Sequence, residues 1–213
     1  GIHIAITEIQ SIKGFEVPMD LSAAGAGRKA FTILEPIGVV VAVSAFNHPL
    51  NLAIHQVIPA VAAGCPVIIK PAAITPLSTL RLAELILQAG LPEGWVQVAL
   101  TNRENSEKLV TDSRVAFFSF IGSAKVGWYL KSKLAPGTRC ALEHGGVAPL
   151  IFDQCSDEEA FANGVVKASM YHSGQVCVSV QRVYVPQSRA IELAQKIADI
   201  ASKQVVGDAI NED

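Results

Sequence analysis

The chain has little charge, few aromatic residues and no basic excess. Only 17% of its 213 residues are Asp, Glu, Lys or Arg, and the formal charge is -2. That leaves no positive surplus to neutralise a phosphate backbone, so nucleic acid is excluded as a partner on charge grounds. The 5 histidines change this little. The 4 cysteines, Cys65, Cys140, Cys155 and Cys177, show neither CxxC spacing nor a flanking His/Cys cluster. Common metal sites and a small disulfide scaffold are therefore not expected, and no metal is assigned. Reduced thiols fit a cytoplasmic setting. Apolar runs such as "IGVVVAVSAF" are too short to span a bilayer, and no basic-then-apolar leader opens the chain, so no membrane partner is expected. There is no internal repeat and no low-complexity tract. What the chain does have is apolar material: 50% of the residues are hydrophobic, enough for a sizeable core and against disorder.

From Glu35 onward, short β-branched runs alternate with amphipathic stretches. Strands are predicted at 38–46, 66–70, 95–100, 115–120, 139–144, 148–152 and 181–185. They are near-continuously apolar, as strands covered on both faces must be. Helices are predicted between them. "HPLNLAIHQVIPAVAAG" ends at Gly64, with Pro59 expected to kink or break it. "TPLSTLRLAELILQAG" has Thr75 as N-cap, Pro76 at the first helical position and Gly90 as its stop. "NRENSEKLVTDS", "SAKVGWYLKSKL", "SDEEAFANGVVKASMYHSG" and "SRAIELAQKIADIASKQ" complete the set, and "SDEE" from Ser156 reads as a capping box. This alternation implies an α/β fold, with a doubly wound, mostly parallel sheet. Before Glu35, "IKGFEVPM" and "KAFTILEP" read as two strands of a long hairpin arm around "DLSAAGAGR", with an edge that wants a partner. The chain opens on Gly1 and stops in the polar "VVGDAINED", so both ends are expected to be cuts in a longer chain.

Ligands of open parallel sheets bind beyond the carboxyl ends of the strands. The residues there are Asn47, Lys70, the "IGSAKVG" turn and Glu143. Gly122 and Ser123 lie at a strand end and Gly127 inside the next helix, where bare backbone and a helix N-terminus suit a pyrophosphate. Close helix-to-strand packing is the competing use of such glycines. Lys70 either snorkels from its strand or reaches ribose hydroxyls and phosphate. Glu143 is either a solvated loop carboxylate or a partly desolvated base. Asn47 is either a helix N-cap or an oxyanion donor. Cys65, Cys140 and Cys155 read as buried structural thiols. Cys177 follows Gly174 on a turn after a long helix, and with a base and an amide donor available it reads as a nucleophile.

"EPIGVVVAVSAFNHPLNLAIHQVIPAVAAGCPVIIKPAAITPLS", "FIGSAKVG", "LEHGG" and "SGQVC", in this order and spacing, closely resemble the aldehyde dehydrogenase superfamily of NAD(P)-dependent enzymes, over nearly the whole chain. The resemblance implies a Rossmann-like cofactor domain with a β-hairpin oligomerisation arm and the start of a second α/β catalytic domain. Its boundaries would be 1–10 for the end of a preceding cofactor-domain segment, 11–35 for the arm, 36–145 for the dinucleotide-binding domain and 146–213 for the truncated catalytic domain. It implies that Cys177 attacks an aldehyde as thiolate, that the Asn47 amide and the Cys177 backbone N–H hold the oxyanion, and that Glu143 activates water for deacylation and helps deprotonate the thiol. Phe46, Lys70, Ala73, Gly122, Ser123, Gly127 and His144 fall at cofactor-binding positions. The cofactor would be NAD or NADP, the substrate a small aldehyde, and the enzyme a homodimer or homotetramer.

Three departures bear on this. Ala73 stands where many NAD-preferring relatives carry a ribose-binding glutamate, which removes repulsion against a 2′-phosphate and opens NADP use. Phe46 replaces a tryptophan, and "ALTN" stands where a glycine is usual after the third strand. A family chain is also about twice as long, so this piece alone is expected to have little activity. Two alternatives stay open: an acylating, CoA-dependent relative, which Glu143 argues against, and an inactive dinucleotide-binding fragment.

Overall fold

A computed structural model describes residues 1–153, 157–208 and 210. The chain divides into two compact units, Gly1–His144 and Gly145–Asp213.

The first unit opens with helix α1 (Ile2–Ile9), an element the sequence did not announce. Its isoleucines fall at positions 2, 4, 6 and 9: the first three alternate as in a strand, while Ile2, Ala5, Ile6 and Ile9 share one helical face, and contact with the second helix holds it. The hairpin arm follows, but its paired part is short. β1 (Glu16–Val17) and β2 (Ala30–Phe31) are antiparallel, and the long predicted strands shrink to two residues each. Phe15 and Phe31 are 69% and 72% exposed, so no burial extends the ladder.

The centre of the unit is a parallel sheet of β3 (Val39–Val43), β4 (Val67–Lys70), β5 (Val96–Val98), β6 (Val115–Gly122) and β7 (Arg139–His144), in the order β5-β4-β3-β6-β7. Helices α2 (Pro49–Ala62), α3 (Leu77–Gln88), α4 (Arg103–Val110) and α5 (Ala124–Lys131) connect them. Two core layers result, one on each face. Val40, Ala42, Val67 and Ile69 pack with Ala53, Val57 and Leu82 of α2 and α3. Val41, Phe118 and Phe120 pack with Val110 of α4 and Leu130 of α5. β3 supplies both layers from alternate residues, which is why its run is apolar throughout.

Several predicted boundaries move. β3 stops at Val43 rather than at residue 46, and β5 spans three residues. α2 runs through Pro59; the missing N–H costs one bond, while the Ala63 N–H donates to the Pro59 carbonyl at 3.0 Å and keeps the last turn. Thr75 does not cap α3: Pro76 holds the N-cap position and Leu77 is the first helical residue. Gly90, at φ 92°, closes α3 as expected, with its N–H on the Leu87 carbonyl and the Leu91 N–H on that of Ile86. β7 is not covered on both faces. It ends the sheet, and Arg139, Ala141 and Glu143 are exposed while the residues between them are half-buried.

The second unit pairs β8 (Ala148–Ile151) in parallel with β9 (Val180–Tyr184) and carries helices α6 (Glu158–Met170) and α7 (Ala190–Ala201). The capping box predicted from Ser156 begins outside the described residues, as does Cys155. The Asp157 carboxylate caps α6 by accepting the Ala160 N–H at 2.8 Å. Arg189 pairs with Glu158, and Lys196 with Glu159, joining α7 to α6.

Candidate active site

The register of the sheet aligns the strand ends. Val43 is opposite both Lys70 and Phe120, and Gly122 is opposite His144. The loops that carry Asn47, Lys70, Gly122–Ser123 and Glu143 therefore all leave the carboxyl edge of one parallel sheet. The strand order reverses between β3 and β6, so the edge contains a topological switch point, the position at which open α/β sheets bind ligands.

Asn47 sits in the β3–α2 loop and is half-buried. It is not the N-cap of α2; His48 holds that position, because Pro49 starts the helix. The neighbouring Phe46 is 44% exposed, and its carbonyl accepts from the Thr75 hydroxyl at 3.4 Å, tying the loops after β3 and β4 together. Lys70 is half-buried at the end of β4 and forms no salt bridge among the described residues. Ala73 and Ile74 beyond it are exposed and bring no carboxylate.

At the next strand end Ser123 occupies the N-cap of α5 with extended backbone, and its side chain makes no cap hydrogen bond. The hydroxyl thus leaves the Ala124 and Lys125 N–H groups at the start of α5 to a ligand, the Val126 N–H being on the Ser123 carbonyl, and an ammonium at Lys70 lies on the same edge. This donor set fits a dinucleotide's phosphates and ribose. Gly127 has another use. It is buried, and a Cβ there would lie 2.2 Å from His144 Nε2 and 2.9 Å from the Phe120 ring. It serves the close packing of α5 on the sheet, and Gly122 is crowded by the same ring, since a Cβ there would lie 2.7 Å from Phe120.

Glu143 is exposed, which fits the solvated one of its two readings and not the partly desolvated one. Its strand is the last of the sheet, and side chains alternate across it, so Glu143 takes the open face and His144 the covered one. The His144 ring lies 5.6 Å from Trp128 and 6.0 Å from Phe120, edge-on to both, with Nε2 buried.

α5 is held from its far end by α4. The Glu107 carboxylate accepts from Lys133 and from the Tyr129 hydroxyl at 3.0 Å, and the Lys133 ammonium stands 4.5 Å over the Tyr129 ring. The bond from Lys133, then that from Tyr129, holds the Glu107 carboxyl below its ordinary value; the same pairing raises Lys133.

In the second unit, Cys177 lies on a turn between α6 and β9 and is exposed, whereas Cys65 is buried and Cys140 half-buried. α6 leads into a short 3-10 turn, Tyr171–Gly174. A groove behind it is lined by Gly164, Lys167, Tyr171, Val176 and Val178.

Two buried, hydrogen-bonded residues near these loops escaped the sequence. Gln56, 6% exposed on α2, donates from Nε2 to the Val43 carbonyl at 3.2 Å and to the Ser119 Oγ at 3.0 Å, bridging β3 and β6 where the order reverses. Its signal was weak: an amide in a mostly apolar helix that also carries Asn51 and His55. Ser179, 3% exposed beside Cys177, had no signal at all. Among the described residues no group of three His, Cys, Asp or Glu is placed to hold a metal, and no helix is long and apolar enough to cross a membrane.

The aldehyde dehydrogenase family matches over residues 1–213. The chain belongs to that family. It is 38% identical over 212 residues to 3-sulfolactaldehyde dehydrogenase of Priestia aryabhattai, covering 99% of this chain and 44% of that protein. It is 35% identical over 207 residues to the mitochondrial succinate-semialdehyde dehydrogenase of Arabidopsis thaliana, covering 96% of this chain and 38% of that one. Among solved structures, aldehyde dehydrogenase 21 from Physcomitrella patens, in complex with the reaction product succinate, superimposes with a TM-score of 0.91 at 34% identity, over 99% of this chain and 44% of that one. The NADP-dependent glyceraldehyde-3-phosphate dehydrogenase of Bacillus halodurans C-125, complexed with NADP, gives 0.89 at 31% identity, over 97% and 44%. The chain thus spans less than half the length of these relatives.

Proposed function

We propose that these residues are part of an NAD(P)-dependent enzyme that oxidises a small-molecule aldehyde to a carboxylic acid. The observation that carries this is the shared carboxyl edge of β3, β4, β6 and β7, with an amide, an ammonium, an open helix N-terminus and a carboxylate on its loops. Cys177, as thiolate, adds to the aldehyde carbon to form a thiohemiacetal. The Asn47 amide and the Cys177 backbone N–H take the developing oxyanion. A dinucleotide, when bound, would be held by Lys70, Gly122 and Ser123 along the sheet edge and would supply the acceptor for the hydride that the thiohemiacetal carbon loses in becoming a thioester. Glu143 deprotonates the water that hydrolyses the resulting thioester, returning Cys177. With Ala73 in place of a carboxylate, both NAD and NADP are admitted.

Residues 11–35 form the arm, 36–145 the dinucleotide-binding part and 146–213 the beginning of the catalytic part. The arm's exposed Phe15, Phe31 and Ile33 support assembly as a homodimer or homotetramer, and the thiols a cytoplasmic enzyme.

The test is steady-state oxidation by the whole protein, with both dinucleotides. Cys177→Ser is expected to abolish turnover, and Glu143→Gln to lower hydrolytic kcat about 10²- to 10⁴-fold. Parent-like turnover of Cys177→Ser would refute the reading. Parent-like turnover of Glu143→Gln would favour release of the thioester to a thiol such as CoA.

A further inference from the structure

Between α6 and β9 the chain passes through three consecutive residues in the left-handed region: His172 at φ 55°, Ser173 at φ 54° and Gly174 at φ 71°. Glycine enters this region freely. Histidine and serine enter it against contact between Cβ and the following carbonyl. Such strain persists only where the surroundings over-determine it.

Part of those surroundings is local. The Gln175 N–H donates to the His172 carbonyl at 3.0 Å. A Cβ at Gly174 would lie 3.3 Å from the Ser169 carbonyl oxygen, so the turn is pressed onto the last turn of α6. Ser179 closes the other side. Its hydroxyl donates to the Gly174 carbonyl at 3.3 Å, and its N–H donates to the Val176 carbonyl at 3.0 Å. These two bonds bracket Cys177, which is exposed while the serine beside it is only 3% exposed. Alanine would fill nearly the same buried volume, so what the hydroxyl adds is the bond to Gly174 rather than packing.

We propose that Ser179 is a positioning residue for the thiol: with the left-handed turn at His172 and Ser173, its hydroxyl fixes the backbone from Gly174 to Ser179 and so the direction in which Cys177 leaves it. The assignment rests on the reading of Cys177 as the nucleophile. A reacting sulfur displaced by a fraction of an ångström loses alignment with the carbonyl, whereas dinucleotide binding, carried by other residues, is untouched.

The experiment compares Ser179→Ala, Cys177→Ser and parent in the whole protein. Ser179→Ala is expected to lower kcat about 10- to 100-fold, with KM for the dinucleotide within about twofold of parent and an unchanged melting temperature. Iodoacetamide would still label Cys177 well before the buried Cys65. A folded Ser179→Ala enzyme with parent kcat would overturn the proposal. So would a variant in which Cys65 labels as fast as Cys177, because Ser179 would then act on folding. A kcat loss matched by an equal rise in the dinucleotide KM would also count against it. Parent-like turnover of Cys177→Ser would instead overturn the nucleophile reading, and the role of Ser179 with it.

Discussion

Gly127 illustrates how one missing Cβ serves the site indirectly. It lets α5 approach until its backbone meets the His144 and Phe120 rings, and that approach sets where the helix N-terminus opens on the sheet edge. Gly127→Ala is expected to destabilise the protein by roughly 1–3 kcal/mol through overpacking, and His144→Ala in the same chain to recover part of that overpacking, since it removes the nearest atom while the Phe120 ring stays 2.9 Å from the methyl. Thermal melts of the single and double variants check this; simple additivity of the two losses would show that the His144 ring is not what the methyl meets. The sequence offered two uses for this glycine, pyrophosphate contact and packing, and could not choose, because His144 is distant along the chain. Glu143 and Ser179 were hidden for the same reason. An exposed carboxylate and a buried hydroxyl are each made so by neighbours that no local pattern names.

Among the elements, α5 is the one on which the cofactor reading depends most. It is one residue off the carboxyl end of β6, and at its far end the Glu107–Lys133–Tyr129 cluster ties it to α4. The Glu107 carboxyl is held low by its partners, so its contribution to stability is present above the ordinary glutamate value and is lost as pH falls through the lower folded value. Lys133, held high, contributes below the ordinary lysine value and loses this only as pH rises through the raised one. Below pH about 4 the melting temperature of the parent should therefore fall more steeply than that of Glu107→Gln, and between pH 5 and 8 the two curves should run parallel; parallel curves down to pH 2.5 would mean that the cluster does not report on folding. Most elements were legible in the sequence, because β-branched runs, capping residues and Gly90 are local signals. α1 was not, since the alternation of Ile2, Ile4 and Ile6 masks the helical spacing of Ile2, Ala5, Ile6 and Ile9, and contact with α2 supplies the missing information. The extent of the hairpin was not either, because chain propensity exceeds what its exposed strands pair.

At the scale of the molecule, the parallel sheet with a core layer on each face is the scaffold that aligns the strand ends. Phe118, fully buried in one layer, is its largest such side chain. Phe118→Ala should cost about 3–5 kcal/mol, read as a shift of the urea midpoint at constant slope, while Phe31→Ala on the exposed arm stays within about 0.5 kcal/mol. Equal shifts would mean that the sheet is not the stability-bearing core. The sequence by itself determined the class of fold, the order of the strands along the chain, the family and the residue types available for chemistry, because each is written in local periodicity and in motifs of a few residues. Only the tertiary structure showed that Gly122 and Gly127 both face the Phe120 ring, that Glu143 stands open on an edge strand, that Gln56 bridges the reversal point and that the Ser179 hydroxyl bonds the Gly174 carbonyl ahead of Cys177. Those outcomes depend on which distant side chains come within a few ångströms, and contact between distant residues leaves no periodic trace in a single chain.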